Sequence, residues 1–463
     1  SLHSHMQGEG QLTLPRLLLT ALASGSGKTL ITCGILQALV NRGLKVSSFK
    51  CGPDYIDPMF HSRVIGTPSK NLDPFFTDTD TMRYLFSRSA EGQDISVIEG
   101  VMGYYDGIGM ATTRGSTYDV SERLECPTIL IVNCRGASLS AVPVVKGFKE
   151  FRNNNIKGVI LNNMSAPVYA EVSKIIEEEV GIKVIGYVPK VTDLVLESRH
   201  LGLCLPGEIE SLKEKLNKLA VVLEGSLNID LLIELANTAP DLEYIPPEIE
   251  KIDGKVKVAL ADDDAFCFTY EDNIRLLEEC GAEIVRFSPM HDRKIPDGVG
   301  GVILSGGYPE LHAETLSANK EMLEDMRSKI TAGMPCIAEC GGFMYLHREI
   351  EGSDGRMYSM ADVFDAEAVN KGKLNRFGYI TVSSEGGSDI LKNCSIKAHE
   401  FHYWDSDDCG TDCTAVKSSN GKRYECMHCK GPLSAGFPHL YYYSEPKVAY
   451  NFLVCCSRFL GMD

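Results

Sequence analysis

The chain has 463 residues, 44% apolar and 24% charged, with 46 basic against 63 acidic side chains and a formal charge of −17. That length allows two or three domains with cores of their own, and the acidic balance excludes a general nucleic-acid binder, which would need a basic face. No run of about twenty apolar residues occurs, so no membrane span is expected; sixteen scattered cysteines and the lack of a signal peptide point to reduced thiols in the cytoplasm.

Ser1 to His5, ahead of Met6, read as a cloning remnant, and residues 1–15 are set aside as a tail. The next stretch, RLLLTALASGSGKTLITCGILQALVN (Arg16 to Asn41), predicts a strand, a glycine-rich loop and a helix. Gly25, Gly27, Lys28 and Thr29 fall where the loop meets the helix. A phosphate chain would rest there on backbone N–H groups and the positive helix end. The glycines let the backbone approach, Lys28 offsets negative charge and Thr29 can ligate Mg²⁺. Leu22 stands where a strict G-x-x-x-x-G-K-[ST] loop has its first glycine. The stretch is read as a nucleotide site.

Strand-like runs follow: LKVSSF, ISVIE at 95–99, TILIV at 128–132, GVILN at 158–162 and IKVIGYV at 182–188. Helical patterns lie between several of them, among them Ser140 to Phe151 and Tyr169 to Val180. Apolar runs without alternation suit strands buried on both faces, so residues 16–205 are read as a doubly wound parallel sheet. Acids gather near the predicted strand ends: Asp54 and Asp57 in GPDYIDP, Glu99 and Asp106 in VIEGVMGYYDG. Glu99 would emerge at the carboxyl edge of the sheet, where such folds bind ligands. An acid beside a metal–triphosphate can ligate the metal, orient water or position a nucleophile. Asp54 and Asp57 can equally shape a proline-bounded turn, and spacing leaves both readings open.

Residues 206–253 are richer in charge and read as a helical linker closing at Pro246–Pro247. A second α/β pattern fills 254–463. VKVALA is a strand, Tyr270 to Cys280 a helix, GGVILSGG a strand ending in a glycine turn, Asn319 to Ala332 a helix, and MPCIAECGG a strand entering a tight turn. Cys340 sits on that turn. Such an elbow is expected to expose the thiol, and the helix N-terminus to lower its pKa. Gly306 and Gly307, with Gly341, suit an oxyanion hole, and His439 in AGFPHLYYY can act as base. Alone, Cys340 would read as a core cysteine and His439 as a surface histidine. Three pieces in this order change that reading.

Together, ALASGSGKT, FKCGPDYIDPMFH, VIEGVMGYYDG, ERLECPTILIVNCRGASLSA, ILNNM and ESRHLGL resemble the cobyrinic acid a,c-diamide synthase family in order and spacing, over nearly the whole chain. The first domain of that family is similar to dethiobiotin synthetase, a group that departs from the strict phosphate loop. The second is a class I glutamine amidotransferase-like domain. The resemblance implies ATP and Mg²⁺ as cofactors, with Gly25, Gly27, Lys28, Thr29 and Asn162 at the nucleotide and Thr29 with Glu99 at the metal. It implies that Asp54, Asp57, Glu99 and Asp106 bind substrate and organise its phosphorylation. It implies Cys340 and His439 as the glutaminase pair, without the glutamate that many amidotransferases carry two residues after the histidine; Tyr441 stands there. The implied reaction is amidation of the a and c carboxylates of cobyrinic acid with glutamine or ammonia as nitrogen source. Relatives use hydrogenobyrinic acid or Ni-sirohydrochlorin, and a homodimer is compatible with the family.

One departure stands out. Family members often have Lys or Arg just before D-x-A-F, where this chain has Asp262. His399, Glu400 and His402 in HEFHYWDS match the family and are assigned a structural or substrate-facing role rather than a metal. Cys409, Cys413, Cys426 and Cys429 form C-x₃-C and C-x₂-C with twelve residues between the pairs, a spacing at which zinc is conceivable. Nothing in the resemblance asks for zinc, and none is expected. The competing class is a regulatory or assembly ATPase with the same deviant loop, but a switch protein has no use for the Cys340 elbow.

Overall fold

Unalternated apolar runs build the first sheet of the computed structural model, which describes residues 13–190 and 206–462. The strands are β1 (Arg16–Ala21), β2 (Val46–Cys51), β3 (Ser69–Leu72), β4 (Ile95–Glu99), β5 (Thr128–Asn133), β6 (Ile156–Asn162) and β7 (Lys183–Val188). Their order is β3-β2-β4-β1-β5-β6-β7, and every pairing is parallel. β3, with the sequence SKNL, has no apolar run to announce it. Successive residues of β1 serve opposite faces. Leu17 and Leu19 pack with Ile31, Leu36 and Leu219, whereas Leu18 packs with Phe49, Met82 and Phe86. Both faces are therefore covered, as a doubly wound sheet requires. Because β1 and β2 flank β4, the loops leaving β1, β2 and β4 emerge side by side at the carboxyl edge.

The chain divides into two compact units, Ser1–Pro247 and Glu248–Asp463. Helices Pro206–Ser226 and Ile229–Asn237 lie in the first unit, and Leu216, Leu219, Leu223 and Leu232 join the core beneath β1. The charge-rich face of Pro206–Ser226 concealed that apolar stripe. Gly34 of α1 (Lys28–Asn41) is what lets the helix come so close: a Cβ there would stand 2.5 Å from Leu223 Cδ1. Ser1 to His5 and the ESRHLGL motif lie outside the described residues.

The second unit opens with β8 (Val256–Ala261), β9 (Ala282–Phe287), β10 (Gly301–Leu304) and β11 (Cys336–Glu339). It continues through β12 (His347–Glu351), β13 (Met357–Ser359), β14 (Phe364–Asn370), β15 (Phe377–Ser384), β16 (Ser395–Phe401) and β17 (Trp404–Ser406). It ends with β18 (Cys413–Lys417), β19 (Arg423–Cys426), β20 (His428–Lys430), β21 (Leu433–Gly436) and β22 (His439–Leu440). The central sheet runs β20-β21-β11-β10-β8-β9, parallel except for β20 against β21. Two smaller sheets follow, β13-β12-β14-β17 and β19-β18-β15-β16-β22.

Cys413 and Cys426 are cross-strand partners, and all four cysteines of that segment are free. Among the described residues no group of three or more His, Cys, Asp or Glu side chains is disposed to hold a metal. No helix among them is long and apolar enough to cross a membrane.

Candidate active sites

In the first unit, β1 ends at Ala21 and α1 starts at Lys28, so residues 22–27 form the loop. Gly25 and Gly27 take φ of +79° and +84°, left-handed values that favour glycine. Gly27 has a second reason: a Cβ there would stand 2.4 Å from Asn162 Nδ2. Asn162, at the end of β6, donates that amide to the Ser26 carbonyl at 3.0 Å and so holds the loop. Lys28 is buried and donates to the Met102 carbonyl at 2.9 Å. Burial, then the neighbouring Lys50, lowers its pKa to about 8. Thr29 is half-buried in the first turn of α1.

The acids that spacing left ambiguous divide. Asp57 and Glu99 meet in a buried cluster around Lys50, a residue the sequence reading passed over. Lys50 pairs with Glu99 Oε2 and lies 2.9 Å from Asp57 Oδ2. Burial raises Glu99 to about 7 against the pull of Lys50. Burial also opposes the charge on Asp57, but Lys50 outweighs it and holds Asp57 below its ordinary value. Lys50 itself is raised: burial works against its charge, and Glu99 and Asp57 together overcome that. His61, fully buried, has its Nε2 3.9 Å from Glu99 Oε1, and burial lowers it to about 4. It is therefore neutral and adds no cation.

Asp54 accepts from the backbone N–H of Ile56 at 3.0 Å and of Asp57 at 3.1 Å, so it does shape the turn that presents Asp57. Asp106 is exposed and accepts from Gly103 N–H at 3.1 Å, bracing the loop that carries Met102. Neither belongs to the buried cluster. The residues do suit Mg²⁺: Glu99 Oε1 is buried without a hydrogen-bond partner among the described residues, and such an orphaned carboxylate oxygen is a hard-cation ligand.

In the second unit Cys340 is wedged between β11 and the short helix Gly341–Tyr345, with φ +50° and ψ −107°. A non-glycine residue held there is strained. The strain is fixed by its N–H, which donates to the Gly436 carbonyl at 2.9 Å, and by Gly342, where a Cβ would meet the Leu304 carbonyl at 2.0 Å. Gly306 locates Cys340 and His439 relative to one another. A Cβ on it would lie 2.6 Å from His439 Cε1 and 3.5 Å from Cys340 Cβ. Gly341 also lies close to Gly307: its Cβ would be 3.2 Å from Gly307 N. The structure thus brings Cys340, His439, Gly306, Gly307 and Gly341 together.

The electrostatics correct one expectation. Cys340 is half-buried rather than exposed, and its thiol is not acidified. Burial, reinforced by Glu310, pushes it well above the ordinary thiol range, outweighing the Gly341 N–H that favours the thiolate. A five-residue helix has too small a dipole to reverse that. Burial lowers His439 to about 3, with His399 and His402 acting in the same direction. The resting pair is a neutral thiol beside a neutral imidazole.

Position 441 offers no carboxylate to His439, and the backbone does the holding instead. The Leu440 N–H donates to Glu339 Oε2 at 2.9 Å. The Leu440 carbonyl accepts from Asn273 Nδ2 at 2.9 Å, and Asn273 Oδ1 accepts the Tyr442 N–H at 2.8 Å. Glu339 immediately precedes Cys340, so one side chain ties the strand leading to Cys340 to the strand that carries His439. Burial raises it to about 8. Asp262, where a cation was expected by resemblance, is paired with Arg286 at 2.8 Å, both partly exposed. Arg286 thus offsets the charge of Asp262 itself.

Two family models match the chain. Residues 17–203 match the CobQ/CobB/MinD/ParA nucleotide binding domain, and residues 257–446 the CobB/CobQ-like glutamine amidotransferase domain. The chain is similar to proteins described as cobyrinate a,c-diamide synthase. The one from Caldanaerobacter subterraneus subsp. tengcongensis is 37% identical over 94% of this chain and 97% of its own. That from Priestia megaterium is 36% identical over 96% and 97%, and that from Thermoplasma acidophilum 37% over 96% and 100%.

Proposed function

The chain belongs to the cobyrinate a,c-diamide synthase family, and from that premise we propose how its residues divide the work of an ATP-dependent, glutamine-hydrolysing amide ligase of cobalamin biosynthesis. The observation carrying the reading is the presence in one chain of a phosphate loop beside a buried acid–lysine cluster and of a cysteine elbow beside a histidine.

A free carboxylate is a poor electrophile. Transfer of the γ-phosphoryl group of ATP to a carboxylate oxygen of cobyrinic acid gives an acyl phosphate and ADP. Ammonia then adds at the carbonyl carbon and phosphate leaves, giving the amide; a second round amidates the other side chain. Gly25, Gly27 and Lys28 cradle the phosphates, while Asn162 holds the loop in shape. Mg²⁺, held by Thr29 and Glu99, would neutralise charge on the phosphates. Asp57, kept ionised by Lys50, organises phosphoryl transfer. Asp54 fixes Asp57, and Asp106 fixes the loop that carries the Lys28 partner.

Ammonia arises at the second site. As glutamine binds, His439 removes the thiol proton of Cys340, and the sulfur attacks the side-chain amide carbon. The oxyanion faces Gly306, Gly307 and Gly341. His439 returns the proton to the leaving nitrogen, ammonia departs, and water hydrolyses the thioester to glutamate. Burial disfavours both the thiolate and the imidazolium in the resting site, so the transfer awaits the change of environment that bound glutamine brings.

Incubating the full chain with ATP, Mg²⁺, glutamine and each of cobyrinic acid, hydrogenobyrinic acid and Ni-sirohydrochlorin tests the reading. Counting amides by mass should give two on cobyrinic acid. No amide on any of them would overturn the assignment, and two on another macrocycle alone would move the substrate.

A further inference from the structure

The five-stranded sheet β19-β18-β15-β16-β22 has one closed face and one open face. Ile380, Val382, Ile396 and Ala398 fill the closed face and are buried. Alternation puts Phe377 and Tyr379 of β15 and His399 and Phe401 of β16 on the other. Phe377 is the cross-strand partner of Phe401, and Tyr379 of His399. His399 is in turn the partner of His439. The glutaminase base and the Phe377–Phe401 pair therefore share a face, the aromatic pair lying two residues, roughly 7 Å, along the strands from His399.

That pair is not covered. Phe377, Phe401 and Tyr403 remain 58%, 50% and 44% exposed, and the rings of Phe401 and Tyr403 meet edge-on at 5.8 Å. Three large aromatics at one spot on a surface call for an occupant. Cations frame them. Lys417 Nζ stands 5.7 Å from the Phe377 ring centre. The N–H of Lys371 donates to the Tyr403 carbonyl at 3.0 Å, which ties the loop bearing Lys371 and Lys373 to the aromatic group. Both lysines are exposed, and neither is ion-paired among the described residues. In a chain of charge −17, a lysine-framed aromatic surface is a local reversal.

We propose that this strip seats the tetrapyrrole substrate: its conjugated ring lies on Phe377 and Phe401, and its peripheral carboxylates meet Lys371, Lys373 and Lys417. The proposal rests on the functional reading above and adds a site for the macrocycle beside the glutaminase face. A flat ring with an acidic rim matches both halves of the surface, apolar centre and cationic border. A second copy of the chain matches worse, because a two-fold contact would set lysines against lysines.

The test uses the full chain, with ammonium as nitrogen source and cobyrinic acid varied. Phe377→Ala/Phe401→Ala and, separately, Lys371→Glu/Lys373→Glu should each raise the KM for cobyrinic acid by about tenfold or more, the scale of a lost aromatic stack. All four positions are exposed, so folding is not at stake, and Phe377→Tyr/Phe401→Tyr should restore the KM to within about threefold. Phe459→Ala, an exposed aromatic in the last helix, should change nothing. A KM near that of wild type in both altered proteins would overturn the proposal. So would loss of a wild-type dimer with the KM unmoved, which would make the strip a self-interface. If the wild type neither binds nor amidates cobyrinic acid, the functional reading falls and the proposal with it; if it does and the variants match it, only the strip is wrong.

Discussion

The two sites solve the problem of a buried reaction centre in opposite ways. The first unit concentrates charge: Lys28, Lys50, Asp57 and Glu99 are withdrawn from water and balance one another. The second keeps its centre neutral, with a thiol and an imidazole that burial holds uncharged, and relies on strained, close-packed backbone around Cys340 and the glycines. On the division of labour proposed above, the difference follows the chemistry. Phosphoryl transfer moves a highly charged group, so preorganised counter-charge does most of the work. Acyl transfer develops charge only in passing, so the site is better kept neutral until substrate arrives.

Substitutions can break that contrast. The largest effect is expected at the charged site. Lys28→Ala or Glu99→Gln should lower synthesis about a thousandfold with either ammonia or glutamine, measured as diamide formed per chain. Retained synthesis in both folded variants would remove the nucleotide and metal assignments. Asp57→Asn should lower turnover about a hundredfold while ATP binding, followed by calorimetry, changes little, because Asp57 contacts Lys50 and not the phosphate loop. Unchanged turnover would return Asp57 to a turn-forming role.

Smaller effects sharpen the neutral site. Glu339→Ala should lower glutamine hydrolysis about tenfold, the scale of a lost backbone anchor, while Glu339→Gln, which can still accept the Leu440 N–H, should stay near wild type. A further signature is thermodynamic. Glu339 is raised from 4.5 to about 8, so the folded chain holds a proton that the unfolded chain has released. Stability from this group is greatest below pH 4.5 and falls as pH rises toward 8, by at most about 1.4 kcal/mol per unit. Glu339→Gln removes the dependence and should gain on wild type between pH 5 and 8 in denaturant titrations. A constant difference across that range would mean that Glu339 is ionised in the fold.

Much of this was legible in the sequence, and the rest was hidden for physical reasons. Gly25, Gly27 and Lys28 signal themselves because strand, loop and helix are local, and ISVIE ends on Glu99 as a strand-end acid should. Lys50 does not, because its partner Glu99 is 49 positions away and only the β2–β4 pairing joins them. Glu339 and Leu440 are 101 apart, so the substitute for a missing carboxylate beside His439 has no sequence signature. The elbow around Cys340 was readable, but the state of its thiol was not, since burial is a property of packing. The helix Pro206–Ser226 looked like a linker because its many charges conceal leucines spaced for one face. Among the four cysteines, Cys413 and Cys426 are set opposite one another on β18 and β19, a pairing that their spacing does not reveal.

The central claim is that one chain runs two separable chemistries and that no residue serves both. Cys340→Ala tests it most directly, assayed for diamide synthesis with glutamine and with high ammonium, alongside glutamine hydrolysis and ATP consumption. The account predicts no glutamine-dependent synthesis and no glutamine hydrolysis, with ammonium-supported synthesis and its ATP turnover intact, in contrast to Lys28→Ala, which should fail with both nitrogen sources. A folded Cys340→Ala protein that still uses glutamine, or that fails with ammonium as well, would contradict it.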